Sequence, residues 1–406
     1  MNRIYIIFLD ILKQALQGRQ ATGYDELSSE DWKEILSLAK VHNILPLIYN
    51  AVYSYSNIPD SALLRRQVRQ LAMLQTMKTA EFIQVYNRLR QAGCTPLVVK
   101  GLICRSLYPQ PDLRLSTDED LLIPAHQFEA CRKIFAEFSL NTDVPAERFA
   151  EEYEIPFRKK DGALYIELHK SLFPPQSDAY GDWNRFFADA FENATESDGM
   201  LTLSHTDHMF YLICHAFKHF IHSGFGIRQV CDIVMYANAY GAQIDWNTVY
   251  TNCMEINAQT FAATLFETGE RYLVFDKQKA CYPQYFSEKA VDETNMLADL
   301  ISAGVFGGST MSRKHSSNMT LEAVAADKQG KKATKSLKGT LFPSAEKLQG
   351  RYPYLQKKPY LLPKAWASRG LTYLKETKTT KDNSSLRAVK LGSSRIDLLK
   401  EYKVIK

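Results

Sequence analysis

The stretch VVKGLICRSLYPQPDLRLSTDEDLLIP, residues 98–124, carries the pattern that decides the fold. Its first part continues the apolar run CTPL at 94–97 and closes at Gly101, which predicts a short strand followed by a turn. LICRSLY can form one or two helical turns before the break at Pro109 and Pro111. DEDLLIP then predicts a second strand. The order strand, turn, short helix and strand indicates a small α+β unit.

Two further strands and long helical segments surround this stretch. EIPFRKK at 154–160 and ALYIELH at 163–169 have the alternation of half-buried strands. Apolar side chains recur at helical spacing in four segments: 30–53, 62–92, 126–138 and 205–275. The predicted fold class is therefore α+β, with a small mixed β-sheet core between N-terminal and C-terminal helical regions.

Composition shifts divide the chain into five predicted regions. Residues rich in Gly, Ser and Lys after position 305 indicate a linker, and the last thirty residues are expected to be poorly ordered. The regions are an N-terminal helical region (1–92), the α+β core (93–200), a helical region packed on the core (201–305), a flexible basic linker (306–345) and a C-terminal turn and helix with a basic tail (346–406).

The charge of the chain is unevenly distributed. The net charge is +5, yet residues 312–406 contain 22 Lys and Arg against 7 Asp and Glu. Such an excess suits RNA, anionic lipid or an acidic partner, but solvated lysines on a loose segment are the favoured interpretation. Binding of nucleic acid through the basic C-terminal region is therefore an alternative that we do not favour.

Several classes of protein are disfavoured by the sequence. The apolar N-terminal stretch is interrupted by Asp10 and Lys13, and no later window approaches eighteen uninterrupted apolar residues, so we predict no membrane span and a cytoplasmic location. The 7 cysteines are scattered singly without a CxxC pair, which predicts reduced, buried thiols and no zinc site.

Three carboxylates indicate the chemistry. Asp118 and Asp120 are two positions apart, so on a strand they share a face while Glu119 points away. Glu167 can join them if its strand is a neighbour of theirs. Carboxylate oxygens suit Mg²⁺, and divalent ions held by acids neutralise the charge that develops in phosphoryl and nucleotidyl transfer. We predict Asp118, Asp120 and Glu167 as catalytic, metal-binding residues.

Neighbouring residues suit an anionic substrate. Gly101 follows a strand directly, so its backbone can approach a triphosphate, with Lys100 or Arg114 adding positive charge. His169 would share the face of Glu167 and could orient a carboxylate or contact a phosphate. The alternative interpretation of His169 is a half-buried strand histidine.

The run at 98–124 resembles the uncharacterised nucleotidyltransferase family of the polymerase-β-like superfamily, whose pattern is an apolar strand, KG, a helix ending in LYP, then R, then DxDLL. YIELH resembles the acid-x-His element of that family. Further similarity lies in EDWKEILSLAKVHNILPLIYNAV, LICHAFKH, RQVCDIV, IDW and PYLLPKAW, so that the resemblance extends from about residue 30 to 370.

The resemblance implies a role for each matched position. Gly101 would open the phosphate-binding turn, Asp118 and Asp120 would hold Mg²⁺ or Mn²⁺, and Glu167 would be the third acid. Glu119 stands where the family has an apolar residue, which suggests an exposed far face or a perturbed strand. The matched helices add a predicted polar wall that contacts nucleotide or acceptor, for which a buried structural network is an equal alternative: His215, Lys218, His219, Arg228 and Asp232.

The leading hypothesis is transfer of a nucleoside monophosphate from an NTP such as ATP to an acceptor hydroxyl or phosphate. One alternative is a catalytically degenerate module that binds nucleotide without turnover. Another is a nucleic-acid-binding module that uses the basic tail. No motif identifies the acceptor.

Overall fold

The N-terminal quarter of the protein is helical. The computed structural model describes residues 2–160, 162–175, 177–304, 311–330, 345–348, 352, 354–369 and 385–406. Ser28 and Asp31 form a capping box that starts the second helix, and Asn43, at φ 55°, turns the chain into the third. The helices are α1 (Arg3–Leu16), α2 (Ser29–Val41), α3 (Leu45–Val52) and α4 (Ser61–Gln91).

A five-stranded mixed sheet follows. The strands are β1 (Leu97–Val99), β2 (Glu119–Leu122), β3 (Leu140–Asn141), β4 (Glu154–Lys159) and β5 (Tyr165–His169). Their order is β1-β2-β5-β4-β3, and β2 runs parallel to β5 while the other neighbours are antiparallel. Helix α5 (Gly101–Arg105) connects β1 to β2, and α6 (Phe128–Glu137) follows β2. The predicted α+β class is confirmed.

A helical layer covers one face of the sheet. It begins after a hairpin of β6 (Thr195–Ser197) and β7 (Met200–Thr202), where Thr202 Oγ1 donates to the carbonyl of Val98 at 2.7 Å. The following helices are α7 (His205–His222), α8 (Ile227–Tyr240), α9 (Trp246–Glu255), α10 (Gln259–Tyr272), α11 (Gln284–Ser287) and α12 (Thr294–Ala303). None of the described helices combines the length and the apolar character that crossing a membrane requires.

Part of the predicted linker is a helix. Residues 311–328 form α13 (Met311–Lys328), because Met319, Ala323 and Val324 give this segment a buried apolar side despite its polar composition. Residues 306–310 and 331–344 of the predicted linker lie outside the described residues. Two short helices follow, Ala345–Leu348 and Tyr354–Lys357.

The chain end is ordered and packed, so the expectation of a loose tail is wrong for residues 385–406. The C-terminal helix (Ser385–Glu401) buries Ile396 and Leu399, and Tyr402 just after it is buried as well. These apolar residues recur every three positions, a helical spacing that the basic composition of the region obscured. Residues 371–384 lie outside the described residues.

α13 and the C-terminal helix together hold the end of α7. Thr320 Oγ1 donates to the carbonyl of His222 at 3.0 Å, Arg313 donates to the carbonyl of Ser223, and Arg395 donates to that of Phe220. Both arginines also pair with the largely buried Asp299. The last carbonyls of α7, which lack partners within the helix, are satisfied by these side chains.

We expect Leu399→Ala to lower the free energy of unfolding by roughly 2–5 kcal/mol, because it leaves a cavity in a packed interface. The adjacent Lys400 is exposed, so Lys400→Ala should change stability by less than about 0.5 kcal/mol. Urea denaturation of both variants measures the difference. Equal stabilities would contradict a packed chain end.

Candidate active site

Asp120, Glu167 and His169 converge where β2 pairs with β5. Asp120 is directly opposite Glu167 in the parallel ladder, so the adjacency that the three-acid hypothesis needs is present. His169 Nε2 lies 3.4 Å from Asp120 Oδ1 and 3.8 Å from Glu167 Oε2. One donor atom from each of the three residues lies within 4.8 Å of the others. This cluster is the candidate site.

Asp118 lies at the margin of the cluster. The strand β2 begins at Glu119, one residue later than the pattern suggested, and Asp118 is half-buried just before it. Its negative charge nevertheless acts on Lys100 and Glu167, whose pKa values it raises. Asp118 is therefore close enough to influence the cluster electrostatically, although it is not one of the three convergent donors.

Lys100 and His169 balance the buried charge of Asp120. Lys100 Nζ lies 3.1 Å from Asp120 Oδ2. Burial alone would raise the pKa of Asp120, but Lys100 and His169 outweigh it and hold the pKa well below its usual range. Burial is the largest single influence on His169 and lowers its pKa, but the hydrogen bond to Asp120 and the charges of Asp120, Glu154 and Glu167 together raise it. Asp120 thus lies between the ammonium group of Lys100 and the imidazole of His169.

Glu167 has the opposite behaviour. Burial, followed by the charges of Asp120, Asp118 and Glu154, raises the pKa of Glu167 to about 8. Glu167 is therefore largely protonated at neutral pH. The face accommodates its acids by pairing Asp120 with Lys100 and leaving Glu167 uncharged.

The donor set fits a hard divalent cation. The carboxylate oxygens of Asp120 and Glu167 are ligands that Mg²⁺ and Mn²⁺ prefer, whereas the imidazole of His169 suits softer ions and would lie beside such a metal without holding it. His169 Nδ1 is buried without a hydrogen-bond partner, whereas Asp120 Oδ2 is paired with Lys100 Nζ at 3.1 Å. A buried polar atom without a partner is costly unless a ligand satisfies it.

The turn from β1 into α5 carries Lys100 and lies next to the acidic cluster on β2. Lys100 has φ 61° and ψ −103°, and its backbone N–H donates to His208 Nε2 at 3.0 Å. A Cβ at Gly101 would lie 2.2 Å from Glu119 Oε2, so glycine is required where the Glu119 side chain passes. Lys100 and Gly101 thus both lie beside β2, and the binding of a phosphate by this turn stays a prediction.

Glu119 is buried on the far face of the sheet. It pairs with Arg105 and accepts a hydrogen bond of 2.7 Å from Ser116 Oγ. The expectation of an exposed far face or perturbed strand is wrong, because a buried arginine from α5 compensates the charge and the strand is regular.

The predicted histidine wall lies against the acidic face. His215 Nε2 is 3.3 Å from Lys100 Nζ, and Gln229 Nε2 is 3.2 Å from His215 Nδ1. Burial, with the charge of Lys100 added to it, holds the pKa of His215 well below its usual value. The rings of His215 and His219 are 4.7 Å apart, and the charges of Glu154 and Glu167 act on Lys218. Helix α7 thus brings His215, Lys218 and His219 to the site.

Arg114, Arg228 and Asp232 form a separate buried layer. Arg114 Nε donates to Asp232 Oδ1 at 3.1 Å, and the Tyr108 hydroxyl donates to the same oxygen at 2.7 Å. Arg228 donates to the carbonyl of Leu115 at 2.6 Å. These contacts fix the segment that leads to Asp118. A direct contact of these residues with substrate stays a prediction.

Two residues that the sequence analysis did not select support the same segment. Lys78 Nζ donates to the carbonyl of Thr117 at 2.7 Å and to that of Ser116 at 3.1 Å, while Gln75 Oε1 accepts from the backbone N–H of Ser116 at 2.8 Å. Burial lowers the pKa of Lys78 to about 8. A lysine within the apolar stripe of α4 is a signal that could have identified it.

Glu154 is a further residue that was missed. Its Oε2 lies 3.7 Å from His169 Nδ1, because Glu154 is opposite His169 in the β4–β5 ladder. Only the register of the strands places it there, and no sequence spacing indicates that register.

We expect Lys78→Met to destabilise the protein by about 1–3 kcal/mol, since the carbonyls of Ser116 and Thr117 lose hydrogen bonds from a charged donor. Lys133 is exposed on α6 and provides a matched control, Lys133→Met. Urea denaturation gives the stability, and hydrogen exchange of residues 115–119 should accelerate only in the Lys78 variant. Unchanged stability and exchange would contradict the supporting role.

A pH-dependent prediction follows from Glu167. Its pKa in the folded protein is raised to about 8, above the usual value of 4.5, so its contribution to stability is present at low pH and is lost as pH rises towards 8. Glu167→Gln removes that loss. The variant should gain thermal stability relative to wild type as pH rises from 5 to 9, measured without divalent ions. A difference that is independent of pH would contradict the raised pKa.

Comparisons with known proteins agree with this geometry. Neither curated proteins nor solved structures gave a significant match. Residues 28–273, which include every element of the site, match the family model described as uncharacterised nucleotidyltransferase. The resemblance is confirmed over that range, while PYLLPKAW lies beyond it. The protein is a member of the uncharacterised nucleotidyltransferase family.

Proposed function

We propose that the protein transfers a nucleoside monophosphate from an NTP to an acceptor hydroxyl or phosphate. An acceptor oxygen would form a bond to the α-phosphorus, and the bond from that phosphorus to the departing pyrophosphate would break. The observation that carries the proposal is the convergence of Asp120, Glu167 and His169 beside Lys100, in a chain of this family.

Each side chain has a role that its surroundings support. Asp118, Asp120 and Glu167 would hold Mg²⁺ or Mn²⁺, which supplies neutralisation of the charge on the phosphate oxygens when bound. His169, between Asp120 and Glu154, would orient the Asp120 carboxylate. Glu167 would accept the proton of the acceptor hydroxyl when it is ionised.

The cationic side of the cleft would hold the substrate. Lys100 is within reach of Asp120 and His215, so it can exchange its carboxylate partner for a phosphate oxygen without a large displacement. Lys218 lies in the electrostatic field of Glu154 and Glu167, and forms no hydrogen bond among the described residues. We assign Lys100, Gly101, Lys218 and His219 to the binding of the NTP or of the acceptor.

One observation favours a second candidate, a nucleotide-binding module without turnover. Lys100 already neutralises Asp120 Oδ2 at 3.1 Å, and a cation in that position competes with a metal for the same oxygen. This alternative predicts nucleotide binding that does not require divalent metal.

The decisive variants are Asp118→Asn and Asp120→Asn, with Asp143→Asn as control because Asp143 is an exposed carboxylate outside the cluster. Transfer of label from α-labelled NTPs to components of a cell extract is measured with and without Mg²⁺. We expect the first two variants to lose at least about a hundredfold in rate, since removal of one charge weakens both metal binding and transition-state stabilisation. The control should keep the wild-type rate.

Thermal shifts with NTP separate the two candidates. Rates at the wild-type level in the Asp118 and Asp120 variants would contradict catalysis by the carboxylates. A wild-type protein that shows an NTP-induced shift without Mg²⁺, and transfers no label, would favour the nucleotide-binding module.

A further inference from the structure

The outer face of α4 carries exposed apolar and cationic side chains. Leu63, Met73 and Met77 are exposed to 63%, 64% and 56% of their maximum. Residues 66, 69, 73 and 77 are spaced by three and four positions, so Arg66 and Arg69 lie on the same side of the helix as the two methionines. We call this surface the α4 ridge, defined by Leu63, Arg65, Arg66, Arg69, Met73, Leu74 and Met77.

The arginines of the α4 ridge are uncompensated. Residues 61–80 include no Asp or Glu. Within the described parts of the chain, Arg65, Arg66 and Arg69 form no ion pair. Arg19 and Arg90 are likewise exposed without an ion pair among the described residues, but they are single positions, whereas the ridge groups three such arginines. Six arginines elsewhere have a carboxylate within 3.0 Å: Arg88, Arg132, Arg148, Arg158, Arg185 and Arg271. The ridge therefore presents positive charge that an external partner can complement.

Two shallow cavities flank the ridge and give it a concave surface. One, of about 290 Å³, is lined by Arg65, Arg66, Arg69 and Met73. The other, of about 220 Å³, lies between α2 and α4 and is lined by the apolar Leu36 and Leu63, by Lys33 and Lys40, and by the acidic Asp60. Lys33 there pairs with Glu30 at 3.0 Å, so the unpaired positive charge lies at the first cavity, which no carboxylate lines and which suits acidic side chains of a ligand.

Arginine and methionine side chains lie together on the α4 ridge, and this arrangement favours a protein partner over a membrane or a nucleic acid. A helix that lies in a membrane separates its apolar face from its basic face, whereas Arg66, Arg69, Met73 and Met77 share one face. Single-stranded nucleic acid would use aromatic stacking platforms, and the ridge has no aromatic residue. Methionine, which is flexible and polarisable, is common on surfaces that receive protein helices.

We propose that the α4 ridge is a docking surface for an acidic amphipathic helix of a partner protein. The 14 residue steps from Leu63 to Met77 span about 21 Å, the length of a four-turn helix. Apolar side chains of the partner lie against Leu63, Met73 and Met77, and its carboxylates pair with Arg65, Arg66 and Arg69. An interface of this length is small and transient, with a Kd on the order of micromolar.

The ridge is also connected to the candidate site. Lys78 and Gln75, on the opposite side of the same helix, hold the backbone of Ser116 and Thr117 ahead of Asp118. A partner helix on the α4 ridge therefore contacts the element that supports one catalytic carboxylate. The docking proposal itself does not depend on the proposed function.

The test uses three labelled probes and fluorescence anisotropy with the full chain. The probes are a 16-residue helix with Leu at every third or fourth position and Glu elsewhere, a scrambled peptide of equal composition that is not amphipathic, and a 16-nucleotide oligo(U). Vesicles containing anionic phosphatidylglycerol are tested separately by sedimentation. The amphipathic acidic helix should bind at micromolar Kd, at least about tenfold more tightly than the scrambled peptide.

Variants then locate the binding. Arg66→Glu with Arg69→Glu, and separately Met73→Ser, should each weaken binding of the helix at least about tenfold while thermal stability is retained. Lys133→Glu with Lys160→Glu makes the same charge change at exposed positions elsewhere and should leave the Kd unchanged. Equal binding of the two peptides, insensitivity to the ridge variants, or ridge-dependent binding of oligo(U) or vesicles in place of the helix would overturn the proposal.

Discussion

Repulsion between carboxylates on one buried face of the sheet is the constraint around which the site is built. Pairing of β2 with β5 sets Asp120 beside Glu167, and neither can move away without breaking the ladder. Two ionised carboxylates at this separation in a poorly solvated environment are strongly unfavourable. The fold accommodates them by placing Lys100 and His169 on Asp120 and by leaving Glu167 protonated at neutral pH. A bound divalent cation would offset the repulsion between the two carboxylates more strongly, because it carries two positive charges.

The opposite face of β2 also buries a carboxylate, that of Glu119, and neutralises it with a buried arginine. Glu119 is fully buried and is paired with Arg105, which is also bonded to Ser116 at 2.9 Å. Such a buried pair contributes little net stability, because desolvation offsets the attraction, but breaking it leaves an uncompensated charge. Its effect is geometric, since it fixes α5 and the turn at Lys100 and Gly101 against β2. Asp120 and Lys100 are thus positioned by a pair that does not itself face the site.

The strands and the spacing of the acids could be predicted from the sequence, but the pairing of β2 with β5, which brings the acids together, could not. Alternation put Asp118 and Asp120 on one face, and Glu167 was predicted to join them on the condition that its strand is a neighbour of theirs. The register of β4 against β5, which brings in Glu154, depends on tertiary packing and leaves no local signal. Ion pairs between distant helices leave no local signal either: Asp299 on α12 is largely buried because Arg313 and Arg395 pack on it from the end of the chain. Polar composition also concealed the helices at 311–328 and 385–401.

Helix α7 connects the site to the end of the chain. Its middle carries His215 and Lys218 against the acidic face, and its last carbonyls are held by Arg313 and Arg395. Both arginines lie outside the family-matched range of 28–273, whereas the helix that they hold lies within it. Displacement of α7 by even one ångström would change the environment of Lys100 through His215, because hydrogen bonds weaken steeply with distance and angle. The family-matched region therefore contains the acidic residues and the histidines of α7, and the C-terminal helices fix the position of α7 relative to the acids.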